Sequence, residues 1–348
     1  MLLPRTLLGA AALTTSLAQA TSNYALVDVY DPKNFFKEFD FFTEADPTDG
    51  FVKYLDSSAA DARSLAGYYG DAVFLGVDDV NQTQSGRASV RVTSKKAYTT
   101  GLFIADIAHM PAGKTDAQSC GLWPAFWMVG PNWPSSGEID ILEGVNTQSS
   151  NAITLHTGPG CNITNTGSVA TTELMSSDCQ GNQGCSQSTQ SQNNYGAGFN
   201  AAGGGVYAIE WTDQSISSWF FARNSTMATS LAGAASNGTA APDTSSFGPP
   251  LATFVGGSSC DISEHFQNQQ IVINTDFCGQ WAGQVWDQDK TCSALASSCD
   301  AYVGANPQAF SEAYWLINSI KIYQQQQQQP ASAASSKRAE KRGLPFLA

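Results

Sequence analysis

Short runs of β-branched, aromatic and alternating apolar residues recur along this chain, separated by stretches rich in Gly, Ser and Asn. Side chains that alternate with period two fall on opposite faces of a strand, so these runs predict a sheet protein with one buried face per strand. The predicted strands lie at residues 89–92, 101–106, 138–143, 206–211, 218–221 and 270–274. The run at 316–323 alternates well and is expected to complete a sheet. Residues 56–66 predict one short helix, and no long helical pattern is present. The Gly/Ser/Asn/Gln-rich stretch 176–205 reads as surface loop. No internal repeat is detectable, and residues 24–323 read as one all-β domain.

One predicted strand stands apart. Residues 137–144 read Gly-Glu-Ile-Asp-Ile-Leu-Glu-Gly, with three carboxylates among apolar residues in a chain sparing of charge. On a strand, Glu138 and Asp140 share a face, whereas strict alternation puts Glu143 on the other. One extra residue, a β-bulge near Ile141 and Leu142, brings Glu143 back into the row, with Ile139 and one of Ile141 or Leu142 facing a core. Two carboxyl groups flanking one bond are what glycoside hydrolysis requires. A half-buried strand with an acidic solvent face is the bland alternative. A cation site is the other, although hard cations usually draw oxygen ligands from loops, and here apolar residues separate the acids.

Just upstream, Trp123, Trp127 and Trp133 fall within eleven residues. A flat indole matches the apolar C–H face of a sugar ring, and its N–H can reach a hydroxyl. Large aromatics also serve as core residues, so the pattern allows either use at each position.

Together, Trp123-Pro124-Ala125-Phe126-Trp127 and Gly137-Glu138-Ile139-Asp140-Ile141-Leu142-Glu143-Gly144 closely resemble fungal members of glycoside hydrolase family 16, the secreted, laminarinase-like endo-β-1,3(4)-glucanases. The family signature E-x-D-x-x-E is met without departure. The resemblance runs from about Tyr24 to Tyr323 and includes the blocks around Tyr98–Phe103, His109–Pro111, Thr154–Thr157, Tyr207–Trp211 and Asn274–Gly283. It implies a β-jelly-roll sandwich, concanavalin A-like, whose concave sheet lines a substrate cleft. It also implies retaining hydrolysis, with Glu138 as nucleophile, Glu143 as general acid/base and Asp140 between them. Retention requires the two carboxyl groups about 5–5.5 Å apart, closer than the ~13 Å that four steps along a flat strand give. A curved, bulged strand is therefore expected. By family position His156, Trp211 and Trp281 line the cleft. Arg91 either reaches sugar hydroxyls or pairs with a structural acid. The implied partner is a β-glucan chain bound by a monomer, with no cofactor and no metal.

The rest of the sequence fits that class. Residues 1–20 carry one Arg, an apolar run and the small-x-small end Ala18-Gln19-Ala20, which reads as a signal peptide. Eight cysteines suit an oxidising compartment; 179/185 and 292/299 are close enough to suggest small loops, while the full connectivity stays open. Without a CxxC pair and with only three histidines, zinc is not expected. Asn81, Asn162, Asn224 and Asn237 each begin an N-x-S/T glycosylation acceptor. A net charge of −13 argues against a nucleic-acid partner, which needs clustered Lys and Arg. No stretch predicts a membrane span. Residues 324–348, a Gln run followed by Ala/Ser and two Lys-Arg pairs, read as a disordered tail with dibasic processing sites, and the apolar end is too short for a lipid-anchor signal. Two other functions share these features: a non-catalytic glucan-binding lectin, which has no need of paired carboxylates, and a cell-wall transglycosylase, which passes the same covalent intermediate to a sugar.

Overall fold

The computed structural model of the protein describes residues 24–233 and 241–325. The expected leader at 1–20, the acceptor Asn237 and all but the first two residues of the expected tail lie outside them. Two eight-stranded sheets dominate, with all their pairings antiparallel. The first, here the site sheet, runs Glu173–Ser176, Cys185–Ser188, Ala152–His156, Glu138–Glu143, Leu122–Val129, Gln269–Phe277, Arg91–Tyr98, Phe39–Phe41. The second, the back sheet, runs Ala252–Val255, Ser215–Ala222, Gly205–Trp211, Gly101–His109, Trp315–Gln325, Ala72–Leu75, Ala66–Tyr69, and Tyr24–Tyr30 also pairs with Trp315–Gln325. Most predicted strands are present, extended by a few residues at their ends. The last strand continues through Gln325, two residues past the expected domain end.

Alternation determines what lies between the sheets. From the site sheet, Phe126, Met128, Ile139, Ile271 and Ile273 point inward; from the back sheet, Phe103, Ile107, Tyr207, Ile209, Phe254 and Ile317 meet them in one core. Burying each such side chain contributes about 1.5–3 kcal/mol, the main term holding the layers together. The other face of the back sheet is covered too: Leu102, Ile104, Val206, Ala208 and Trp219 pack beneath Leu231 of the helix Thr226–Gly233. At eight residues this is the longest helix among the described residues. The helix expected at 56–66 forms over Ser57–Ala62, because the Asp56 carboxylate accepts the Ala59 N–H and caps it.

Three expectations need correction. Trp211 does not line a cleft: it is 1 % exposed in the core. On Gly205–Trp211, Tyr207, Ile209 and Trp211 share the inward parity, so alternation takes Trp211 into the interior of the sheet opposite the acids. The stretch 176–205 is not all surface loop. Cys185–Ser188 is a strand of the site sheet and Gly196–Ala201 a helix, with Gln187, Asn194 and Phe199 fully buried. This strand is polar and lacks an apolar alternation. It is held by hydrogen bonds, with Gln187 donating to the Thr253 carbonyl and accepting from the Ser168 hydroxyl. Finally, Cys292 and Cys299 do not pair with each other. The disulfides are Cys120–Cys292, Cys161–Cys260, Cys179–Cys185 and Cys278–Cys299. Among them only the 179–185 loop matches the close spacing. Cys120–Cys292 and Cys278–Cys299 build a second small core with Leu122, Phe277 and Trp286 where two site-sheet strands meet the loops. Asn81, Asn162 and Asn224 are all exposed.

Candidate active site

The strand Glu138–Glu143 carries the expected bulge. Against Leu122–Val129, Asp140 opposes Trp127 and Leu142 opposes Phe126, which leaves Ile141 as the extra residue. Against Ala152–His156, Asp140 opposes Thr154 and Glu143 opposes Ala152. Ile139, Ile141 and Leu142 are all buried in the main core, so the bulge sends both apolar residues inward, where one was expected. The three carboxylates remain on the opposite face.

Each acid has a polar neighbour. Glu138 and Asp140 stand close enough to act on each other electrostatically, and Trp133 lies beside Glu138. Asp140, only 2 % exposed, lies 3.2 Å from the His156 Nε2. His156 Nδ1 contacts the Gly181 carbonyl at 2.8 Å. The Gly181 carbonyl makes Nδ1 the donor, and the adjacent Asp140 carboxylate favours the charged ring. Glu138, Asp140 and His156 bring potential ligand atoms within 4.8 Å of one another. A charged ring beside Asp140 and Glu138 suits this cluster to holding and moving a proton. Glu143 accepts the Trp123 Nε1–H at 2.7 Å.

Electrostatics follow from burial and proximity. Burial, then the charge of Asp140, raises the Glu138 carboxyl to about 8. Burial and Glu143 raise Asp140 to about 6, opposed by His156. Burial raises Glu143 to about 7, with Glu138 adding to it and the Trp123 N–H drawing it down. Burial works against the charged His156 ring, yet the bonded Asp140 carboxylate, Glu138 and the Gly181 carbonyl outweigh it and lift the ring to about 10. Glu138 stands highest because burial is reinforced by the neighbouring charge of Asp140. Its proton belongs to the pair, and the four groups titrate as one set.

The aromatic residues divide by position. Trp123 and Trp127, four apart on one strand, share the face of the acids and are half-buried. Trp123 meets Trp281 edge-on with centroids 5.7 Å apart, and Trp281 follows Cys278, which is fixed by its disulfide to Cys299. Trp133 is 47 % exposed. Trp127 donates to Asn274 Oδ1 at 2.7 Å, and the Arg91 guanidinium lies 5.0 Å from the Trp127 ring and 4.5 Å from Phe42. Arg91 also pairs with buried Asp46 at 3.8 Å, the structural-acid alternative for this residue. Asp46, Asn274 and Asn151 carry no sequence signal of their own. Asn274 opens the Asn274–Gly283 block, and Asp46 belongs to a turn-like Asp46-Pro47-Thr48-Asp49-Gly50 that gives no sign of burial. Asn151 sits in a polar run, and only its contacts with the bulged strand reveal it.

A two-sheet sandwich with this row of acids on one face defines a jelly-roll glycoside hydrolase. The chain belongs to glycoside hydrolase family 16: residues 39–323 match the XgeA-like catalytic GH16 domain. It is an enzyme of that family. It is 46% identical over 327 residues to an endo-1,3(4)-beta-glucanase of Arthroderma benhamiae, covering 92% of this chain and 68% of that protein. Other fungal relatives named as endo-1,3(4)-beta-glucanases are longer, and the chain spans about half their length. Among solved structures, laminarinase 16A from Phanerochaete chrysosporium, holding 6-O-glucosyl-laminaritriose in donor and acceptor sites, is 40% identical with a TM-score of 0.78, covering 86% of this chain and 99% of that one. An elongating family 16 beta-1,3-glucosyltransferase is 40% identical with a TM-score of 0.76, covering 86% of this chain and 100% of that one.

Proposed function

We propose that this enzyme is a secreted, retaining endo-β-glucanase that cleaves β-1,3- and mixed β-1,3/1,4-glucans within residues 21–323. The observation that carries this reading is the bulged strand that keeps Glu138, Asp140 and Glu143 on one face beside Trp123. In the first step the Glu138 carboxylate attacks the anomeric carbon and forms a glycosyl ester. The glycosidic bond breaks, and the departing oxygen takes the proton of Glu143. In the second step the Glu143 carboxylate removes a proton from water, whose oxygen attacks the same carbon and releases Glu138. Attack requires Glu138 to be anionic. A proton held on Asp140 in place of Glu138 leaves Glu138 charged, with His156 Nε2 3.2 Å from Asp140. Trp127, Trp133, Trp281 and Arg91 supply platforms and donors for the sugar rings, and His156 holds Asp140.

The four disulfides agree with export through an oxidising compartment, and Asn81, Asn162 and Asn224 are open to glycosylation there. Among the described residues no helix is long and apolar enough to cross a membrane. The test is digestion of laminarin, lichenan and carboxymethylcellulose in parallel, with linkage analysis of the products. Release of oligosaccharides from laminarin and lichenan with retained anomeric configuration supports the reading. Inverted products, or action on carboxymethylcellulose alone, refute it.

The similarity to an elongating glucosyltransferase favours a second reading, transfer of the same intermediate to a sugar acceptor. An added laminari-oligosaccharide distinguishes the two: products longer than the donor indicate transfer, and shorter products alone indicate hydrolysis.

A further inference from the structure

At the bulge that aligns the acids the register shifts between Asp140 and Glu143, the stretch that holds the Ile141 carbonyl and the Glu143 N–H. One side chain satisfies both. Asn151 Nδ2 donates to the Ile141 carbonyl at 2.7 Å, and Asn151 Oδ1 accepts the Glu143 N–H at 3.0 Å. A primary amide offers a donor and an acceptor side by side, as these two groups require. Asn151 is fully buried and is itself held on both sides. Its N–H donates to Asn194 Oδ1 at 3.2 Å, and its carbonyl accepts from the Thr189 hydroxyl at 2.8 Å and the Thr189 N–H at 3.0 Å. Asn194 Nδ2 donates to Thr189 Oγ1 at 2.8 Å, and the Tyr207 hydroxyl of the back sheet donates to the Asn194 carbonyl at 2.5 Å.

We infer that Asn151 is a positioning residue for Glu143, locking the bulge so that the acid/base faces the same bond as the nucleophile. The inference rests on the roles proposed above. Asn151 touches no substrate; it acts through the backbone of Glu143. A small rotation about that backbone moves the carboxyl tip off the glycosidic oxygen, and a misplacement of about 1 Å costs on the order of a hundredfold in rate.

The role separates substrates by leaving group. Breaking a bond between sugars needs the proton of Glu143, whereas release of 2,4-dinitrophenolate does not. kcat/KM reports the steps through formation of the glycosyl-enzyme, so it isolates this difference. Asn151→Ala is compared with the parent enzyme on laminarin and on 2,4-dinitrophenyl β-laminaribioside, with thermal unfolding as the check on folding. The expected result is a loss on the order of a hundredfold on laminarin and under tenfold on the aryl glycoside. Thr189→Val is nearly isosteric, keeps the Thr189 N–H bond to Asn151 and removes only the hydroxyl. It is expected to change the ratio of the two substrates in the same direction by a smaller factor, and it decides the matter if Asn151→Ala fails to fold. Equal losses on both substrates, or an unchanged ratio in folded Thr189→Val, overturn the inference. An unmodified enzyme that leaves laminarin intact but turns over the aryl glycoside refutes the proposed function instead, so the two failures are distinguishable.

Discussion

The indole N–H of Trp123 donates to the carboxylate of Glu143 at 2.7 Å, across neighbouring strands of one sheet. The same tryptophan stands against Trp281. It is therefore held from two sides, by the carboxylate it bonds and by the ring it meets edge-on. A donor bonded to a carboxylate favours the charged form, so this contact restrains the upward shift that burial imposes on Glu143.

Trp123→Phe keeps an aromatic ring and removes the N–H. The Glu143 carboxyl then rises further, and the alkaline limb of kcat/KM against pH moves to higher pH. A pH–rate series on soluble laminarin reads the limb, and one that does not move disproves the coupling.

Glu138→Gln removes the nucleophile while keeping shape and hydrogen bonding. Hydrolysis of laminarin is expected to fall by roughly four orders of magnitude, about 5 kcal/mol of barrier. Near-normal activity in a folded Glu138→Gln protein would sink the assignment.

Glu143→Ala separates the two chemical steps. Glu138 still displaces a good leaving group, and added azide then attacks the glycosyl ester in place of water. The expected product is the β-glycosyl azide, since two inversions restore configuration, and NMR identifies the anomer. An α-azide contradicts the roles of Glu138 and Glu143 as nucleophile and acid/base.

Asp140 lies between Glu138 and His156, so its charge bears on the whole set. The profile of kcat/KM is expected to be bell-shaped, with its limbs above the ordinary carboxylate value of about 4. Asp140→Asn should lower activity and displace at least one limb, because one negative charge leaves the set. Superimposable curves of equal height would remove Asp140 from the mechanism.

The buried acids also cost stability. The folded-state value of Glu138, about 8, lies above its ordinary 4.5. Its favourable contribution is therefore complete below pH 4.5 and is lost as pH rises towards 8. Glu138→Gln does not titrate there. The Tm of Glu138→Gln minus that of the parent should grow from pH 4 to pH 8, measured by calorimetry in one buffer series. A difference that is flat or shrinks with pH contradicts the raised value.

Much of this arrangement is legible in the sequence, for reasons that differ by residue. The strand Glu138–Glu143 shows itself because apolar and acidic residues alternate, and the broken parity at Glu143 already demands a bulge. Trp123 and Trp127 show themselves through spacing, four apart on one strand. Trp211 misleads because parity on its own strand, and not proximity in a motif, decides its face. Cys185–Ser188 is missed because a strand held by buried polar bonds has no hydrophobic period to detect. Asn151 is invisible for a related reason: its partners are backbone atoms of another strand, and backbone atoms leave no mark in a sequence.

The order of strands in the back sheet has a consequence for how the chain is made. Trp315–Gln325, the last strand described, runs between Gly101–His109 and Ala72–Leu75 and also receives Tyr24–Tyr30. Three segments within residues 24–109 thus await a partner at residues 315–325, far downstream of all of them. Until then Gly101–His109 offers one open edge, and Tyr24–Tyr30 has no strand to join. The sandwich cannot close until residues 315–325 have been made, and the growing chain must be kept from pairing with its neighbours until that strand arrives.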